Sequence, residues 1–167
     1  MPEFKPICRE SVPLALEKAE RYRLLNEPAQ AESICLDVLA VDPENQRALV
    51  SLLLALTDQF LDGSADCLHQ ARAAVAKLRG EYERLYYNGI ICERRGYAAA
   101  VRGGPGSNAA AYEWIREAMD FYEKAERHRP PGNDDTLLRW NTCLRLCKRY
   151  HLEPEPEVVL PPVLGDD

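Results

Sequence analysis

Three histidines and six cysteines bound the chemistry open to this 167-residue chain. Cys67 and His69 stand two apart, and Cys143 and Cys147 stand four apart, a spacing that sets two side chains on one face of a helix. Structural zinc takes about four ligands, usually in closely spaced pairs, and neither pair has a complement elsewhere. Cys8, Cys35, Cys67, Cys92, Cys143 and Cys147 are scattered through apolar stretches with no CxxC pair. They read as reduced thiols acting as small hydrophobes, and no metal is expected. A catalytic nucleophile needs a positioned base and a group that orients the base. His69 has only Asp66 nearby as an acidic partner, and His128 and His151 fall at helix carboxyl ends, where a cation favours the helix dipole. No catalytic residue is assigned and the chain is not expected to be an enzyme. An enzyme or metal protein using Cys67 and His69 stands as an alternative.

Gly103-Gly104-Pro105-Gly106-Ser107 invites comparison with a phosphate cradle, in which backbone N–H groups at a helix start hold an anion. It follows a helix rather than a strand, lacks the lysine of a P-loop and loses one donor to proline. It reads as an inter-helix turn, and no cofactor is expected.

The formal net charge of −6 is concentrated at one end. After Arg149 there is no Lys or Arg, whereas Glu153, Glu155, Glu157, Asp166 and Asp167 are all acidic; the rest of the chain is close to neutral. Nucleic-acid binding replaces condensed counterions with Lys and Arg, so nucleic acid is not the expected partner. The start, Met1-Pro2-Glu3-Phe4-Lys5-Pro6, has neither the basic nor the apolar part of a signal peptide, and no run of about 18 apolar residues could span a bilayer. A cytoplasmic protein with no membrane partner is expected.

The elements that carry these residues are helical. Apolar residues recur at helical spacing, as in Leu14, Ala15, Ala19, Tyr22 and Ala31, Ile34, Cys35, Val38, Leu39, and no long stretch alternates like a strand. Breaks at Asn26-Glu27-Pro28, Asp42-Pro43-Glu44, Asp62-Gly63-Ser64, Gly80, 102–107 and 130–134 predict seven helices, at 12–26, 28–41, 44–61, 64–79, 81–101, 107–128 and 134–151. Asp42 is suited to cap the third helix with Pro43 in its first turn, and Gly80 to end the fourth. Short links imply antiparallel neighbours. Three segments follow: an N-terminal extension at 1–11, a helical domain at 12–151 with its Gly-rich loop at 102–107, and an acidic, Pro-rich tail at 152–167.

The hairpins repeat. Ala19, Tyr22, Ala31, Cys35, Val38 and Pro43 follow the small, aromatic, small, bulky, small, proline phrase of the tetratricopeptide repeat. Ala118, Tyr122, Ala125 and Pro130 restate its second half, with Gly89 and Cys92 in the preceding helix. A middle unit supplies Leu49, Leu52, Leu53 and Leu56, then Ala71, Val75 and Leu78, without the proline. Small residues let two helices approach, aromatics fill the space to the next hairpin, and stacked units need a terminal cap. Leu137, Trp140, Leu144 and Cys147 form the stripe on which the last helix would dock, leaving Arg139, Arg145, Lys148 and Arg149 elsewhere.

The chain thus resembles the tetratricopeptide repeat family over roughly 12–151, with three hairpins and a capping helix. The resemblance implies an all-α right-handed superhelix that takes a peptide or helix of a partner protein in its concave groove, as an adaptor or chaperone-like scaffold. The groove positions of the family fall on Leu16, Glu20 and Arg23; on Arg47, Val50, Leu54 and Asp58; and on Tyr86, Ile90, Glu93 and Arg94. The clamp with which one subgroup of the family holds acidic chaperone tails is absent: its places hold Leu16, Glu20, Ser51, Glu83 and Tyr87. The departure from the family is length. About 17 extra residues separate Cys92 from Ala118, and about six extra separate Leu56 from Ala71. Either the fifth helix turns at Gly96-Tyr97 before an insertion or it runs on to Val101, and the third hairpin should project beyond its neighbours.

The tail joins Glu-Pro-Glu-Pro-Glu to Val158-Val159-Leu160-Pro161-Pro162-Val163-Leu164, a pattern incompatible with a helix. Such a segment is expected to be extended. Docked in its own groove or a neighbour's, it would make the chain a self-assembly module or a homodimer, the alternative to an adaptor.

Overall fold

The computed structural model describes residues 2–62 and 65–155. The chain is all-α: α1 Val12–Leu24, α2 Pro28–Val41, α3 Gln46–Asp58, α4 Ala65–Ala76, α5 Glu81–Arg102, α6 Ser107–Glu126 and α7 Asp135–Tyr150, with short 3₁₀ turns at Arg9–Ser11 and Phe60–Asp62. Each helix begins and ends within a turn of its expected place.

The helix ends have local causes. Asn26 takes a left-handed φ of 60° after α1, and the Glu27 N–H donates to the Tyr22 carbonyl at 2.9 Å, while Pro28 opens α2 where its missing N–H has no partner to lose. The cap of α3 corrects the sequence expectation. Asn45, not Asp42, accepts the Ala48 N–H at 2.9 Å, while Asp42 ends α2 and its carboxylate holds Asn45 through the Nδ2 donor at 2.9 Å. Gly80 likewise does not end α4, which stops at Ala76; it sits extended, with φ −77°, at the start of α5. The link between them is held by Arg84, whose Nη1 donates to the Leu78 and Arg79 carbonyls at 2.8 Å each. A side chain several residues downstream does what a glycine was expected to do.

There is no turn at Gly96-Tyr97. α5 runs unbroken to Arg102 and ends where Gly103 adopts a φ of 65°, in a loop whose Gly104 and Gly106 are also at positive φ. These three glycines are needed for backbone conformation, which fits the turn reading of the loop. At 22 and 20 residues, α5 and α6 are the longest helices of the chain.

Each helix packs on the next, and contacts also join α1 to α3, α3 to α5 and α5 to α7; among the described residues the even-numbered helices make no comparable approach to one another. The odd-numbered helices therefore form one continuous side. Three apolar clusters lie between the layers. A small one joins Val12, Leu16, Val38 and Ala48. A large one fills α1 to α4 with Ala19, Ala31, Cys35, Leu49, Leu53, Leu56 and Val75, and reaches Ile91 and Ala98 of α5. The third joins Ile90, Cys92, Ile115, Met119, Tyr122 and Cys143 of α5 to α7 with Leu152 beyond them. Leu54 and Tyr87 pack against both large clusters.

The docking face of α7 differs from the expected stripe. Thr136 and Cys143 are buried, Trp140, Cys147 and Tyr150 are partly buried, and Leu137 and Leu144 lie exposed. The cause is Arg139, expected to face outward, which instead pairs with buried Glu93 and carries the adjoining face of α7 inward.

Candidate functional site

The side of the array built by the odd-numbered helices carries most of the expected groove residues, and three of them meet. Asp58, in the last turn of α3, accepts Arg23 Nε of α1 at 2.8 Å on one oxygen and Arg94 Nη1 of α5 on the other. One carboxylate thus ties three successive odd helices, with all three side chains 20–25% exposed. A second tie joins the start of α3 to α1: Arg47 Nε and Nη2 both donate to Glu20 Oε1, at 3.0 and 2.8 Å. Neutralisation in the first group is incomplete, because two guanidinium charges share one carboxylate.

Other expected groove residues serve the interior. Leu16 and Ile90 are only 2% and 1% exposed and belong to core clusters, so neither offers surface to a ligand. Val50 and Leu54 are partly buried against the large cluster. Tyr86 is held among aromatic rings, stacked on Tyr82 at a centroid distance of 5.7 Å and tilted against Tyr122 at 5.9 Å. The displacement follows from burial: apolar side chains on these helices gain more by filling the space between helix layers than by facing water.

Glu93 is also buried, and it is the centre of a polar latch. Its Oε2 accepts the Tyr122 hydroxyl at 2.6 Å and lies 4.0 Å from Cys143 Sγ, while its Oε1 accepts Arg139 Nη1 at 3.1 Å. One side chain from α5 thereby binds α6 and α7. Burial, followed by the charge of Glu93, holds the Tyr122 hydroxyl well above the usual phenol range, so it stays a donor. Burial, the largest single effect, lowers the pKa of Arg139, but Glu93 together with Tyr86 and Tyr122 outweighs it and holds the guanidinium above its ordinary value. The latch is fully paired and fastens helices together.

Beside the Asp58 group lies an open cleft of about 350 Å³, walled by Asp58 of α3, Phe60 and Leu61 of the turn after it, Arg94 and Tyr97 of α5, and Leu146 of α7. The hydroxyls of Thr57 and Thr142, also at its edge, donate to the Leu54 and Leu138 carbonyls and are already used. What the cleft presents is an apolar wall with Leu61 and Tyr97 exposed, beside the Asp58–Arg94 pair and the Glu93 carboxylate. Sequence reading missed Phe60, Leu61, Tyr97 and Leu146. Tyr97 could have been found, since it follows Arg94 by three positions and so shares its face of α5.

The cysteine and histidine pair does not form a joint site: Cys67 is buried in the large cluster and His69 is exposed. Among the described residues no group of three or more His, Cys, Asp or Glu side chains is placed to hold a metal ion. Burial pushes the thiols of Cys35 and Cys92 up to about 12, away from thiolate chemistry at neutral pH. No helix among the described residues is long and apolar enough to cross a membrane. No family model, curated protein or solved structure matches the chain.

Proposed function

We propose that this chain is a tetratricopeptide-like scaffold, a right-handed superhelix in which the odd-numbered helices line a groove that holds an apolar segment of a partner protein, without catalysis. The observation that carries this reading is the meeting of Arg23, Asp58 and Arg94 from three successive odd helices at the rim of the cleft walled by Leu61, Tyr97 and Leu146. An apolar floor with polar anchors at its rim is the usual anatomy of a peptide-binding surface. The contacts of α1 with α3, α3 with α5 and α5 with α7 support a stacked-hairpin array, and the small residues Ala19, Ala31, Gly89, Ala118 and Ala125, all buried, stand where the repeat requires close approach. The cleft, rather than the whole line of expected groove residues, is the seat of binding.

The test is to pan a displayed random-peptide library against the full chain and measure the affinity of the recovered peptides. Leu61→Glu and Tyr97→Glu, both at exposed positions, should weaken binding at least about tenfold, the equivalent of about 1.4 kcal/mol. Leu36→Glu, on the exposed side of α2, should leave it unchanged. Equal affinity in all three variants would remove the cleft from the function.

A further inference from the structure

We propose that two copies of this chain pair through the outer face of their first hairpin, α1 and α2, in a two-fold dimer that sets Lys18 of each copy against Asp37 of the other. No residue of α1 or α2 walls the cleft described above, so the inference stands apart from the groove reading.

The face is apolar and uncovered. Leu14, Lys18, Arg21 and Leu25 follow one another at helical spacing on α1, and Leu14 and Leu25 are each 65% exposed. Leu14, Ala15 and Lys18 share a shallow cleft of about 260 Å³ with Ile34 and Asp37 of α2 and with Ile7 and Ser11. Lys18, Arg21, Tyr22 and Leu25 line a second hollow beside it. Among the described residues α1 packs on α2, α3 and the Arg9–Ser11 turn, and α2 packs on α1 and α3, so no helix covers this side of the hairpin. A stacked array exposes apolar surface at any end that is not capped.

Charge selects the occupant. Lys18, Arg21 and Asp37 form no ion pair among the described residues. In a two-fold interface each contact of one residue with another is made twice, with the roles exchanged. An axis parallel to α1 and α2 and midway between them lays α1 of one copy antiparallel along α2 of the other. Lys18 then meets Asp37 twice, and Leu14 and Ala15 close on Ile34 between the two pairs. An axis across the helices lays α1 on α1 instead and brings Lys18 and Arg21 against their own copies, where like charges repel.

The other end of the stack fits less well. Leu137, Leu138 and Leu144 are exposed on α7, but its charged residues after Asp135 are Arg139, Arg145, Lys148 and Arg149, all basic. Two copies joined there would oppose positive charge to positive charge. Joining that end to the α1–α2 face, where Lys18 and Arg21 outnumber Asp37, would do the same.

The experiment is sedimentation equilibrium of the full chain over roughly 1–100 μM, the weak end of the range for interfaces of standard size. A dimer is expected. Leu14→Glu should weaken it at least about tenfold, and Lys18→Asp and Asp37→Lys each about tenfold, because each sets like charges face to face twice. An equimolar mixture of Lys18→Asp and Asp37→Lys should dimerise to within about threefold of the unmodified chain, since the two faces then carry opposite charges at both contacts. Leu138→Glu on α7 should change nothing. A monomer at every concentration would overturn the proposal and leave the face to a different protein. A dimer indifferent to Leu14→Glu, one broken by Leu138→Glu, or two variants that do not recover on mixing would overturn it as well. Leu14 and Lys18 are exposed, so their substitution tests pairing without testing folding, and recovery on mixing itself requires folded chains.

Discussion

The two halves of this molecule use the same hairpin phrase with different physical means. In α1 to α4, Ala19, Ala31, Cys35, Leu49, Leu53 and Leu56 pack as small and aliphatic side chains, and no buried charged residue lies on these helices among the described residues. In α5 to α7, close approach is pressed further. Gly89 lies so near Tyr122 that any Cβ would overlap the ring, Gly96 would place one 2.8 Å from Ile115 Cδ1, and a buried carboxylate sits where the first half has carbon. The first half is held by area removed from water. The second also depends on exact partners for Glu93, whose loss leaves an unmatched charge. Two halves of one helical stack can therefore be made stable by different means.

Variants separate these two regimes, helped by the location of both tryptophans, Trp114 and Trp140, in α6 and α7. Glu93→Ala strands Arg139 and the Tyr122 hydroxyl and should cost about 3 kcal/mol, the lower end of the range for breaking one side of a buried ion pair, because Arg139 keeps 35% of its side chain exposed. Leu53→Ala, in the aliphatic half, should cost about 3 kcal/mol through its cavity. Tryptophan emission should change at lower urea than far-ultraviolet circular dichroism in the first variant and not in the second; the same order in both would erase the distinction. Gly89→Ala forces Tyr122 aside and should cost about 2 kcal/mol, read as a lowered melting temperature.

High pH should also find the second half first. There, burial before any other cause raises Tyr82 and Cys92 to about 12, and raises Tyr87, Tyr122 and Cys143, against Cys35 alone in α1 to α4. Because the folded chain keeps these protons longer than the unfolded one, their contribution is complete below the ordinary values of 9.0 for thiols and 10.0 for phenols. It is lost as pH climbs through the raised values. Hydrogen exchange at rising alkaline pH should open α5 to α7 before α1 to α4, and simultaneous opening would contradict the comparison. The smallest effect belongs to Asp58→Asn, whose partly exposed pairs should contribute less than about 1 kcal/mol to stability in urea titrations.

Much of the fold was legible because it follows from local rules. Helical periodicity, Pro28 and the glycines near 103–106 place helix ends without knowledge of tertiary structure. What escaped depends on distant partners. Arg84 closes the α4 to α5 link, Asn45 takes the cap from Asp42, and Glu93 draws Arg139 inward and so leaves Leu137 and Leu144 outside. The site shows the same division. Spacing brought Arg23, Asp58 and Arg94 together on one side, whereas Leu16 and Ile90 lie in the core, the first with Val12, Val38 and Ala48 and the second with Ile115, Met119 and Tyr122. The cleft needed Leu146, on a helix read only as a cap. The expected docking of the 152–167 tail rests on its apolar run at 158–164, outside the described residues.

The central claim is that binding takes place on the side of the odd-numbered helices. Its most direct test is a hydrogen-exchange footprint of the full chain with and without a saturating peptide recovered by display. Slowed exchange at the end of α3, the middle of α5 around Arg94–Tyr97 and the middle of α7 around Leu146 is the expected result. Protection confined to α2, α4 and α6 would contradict it.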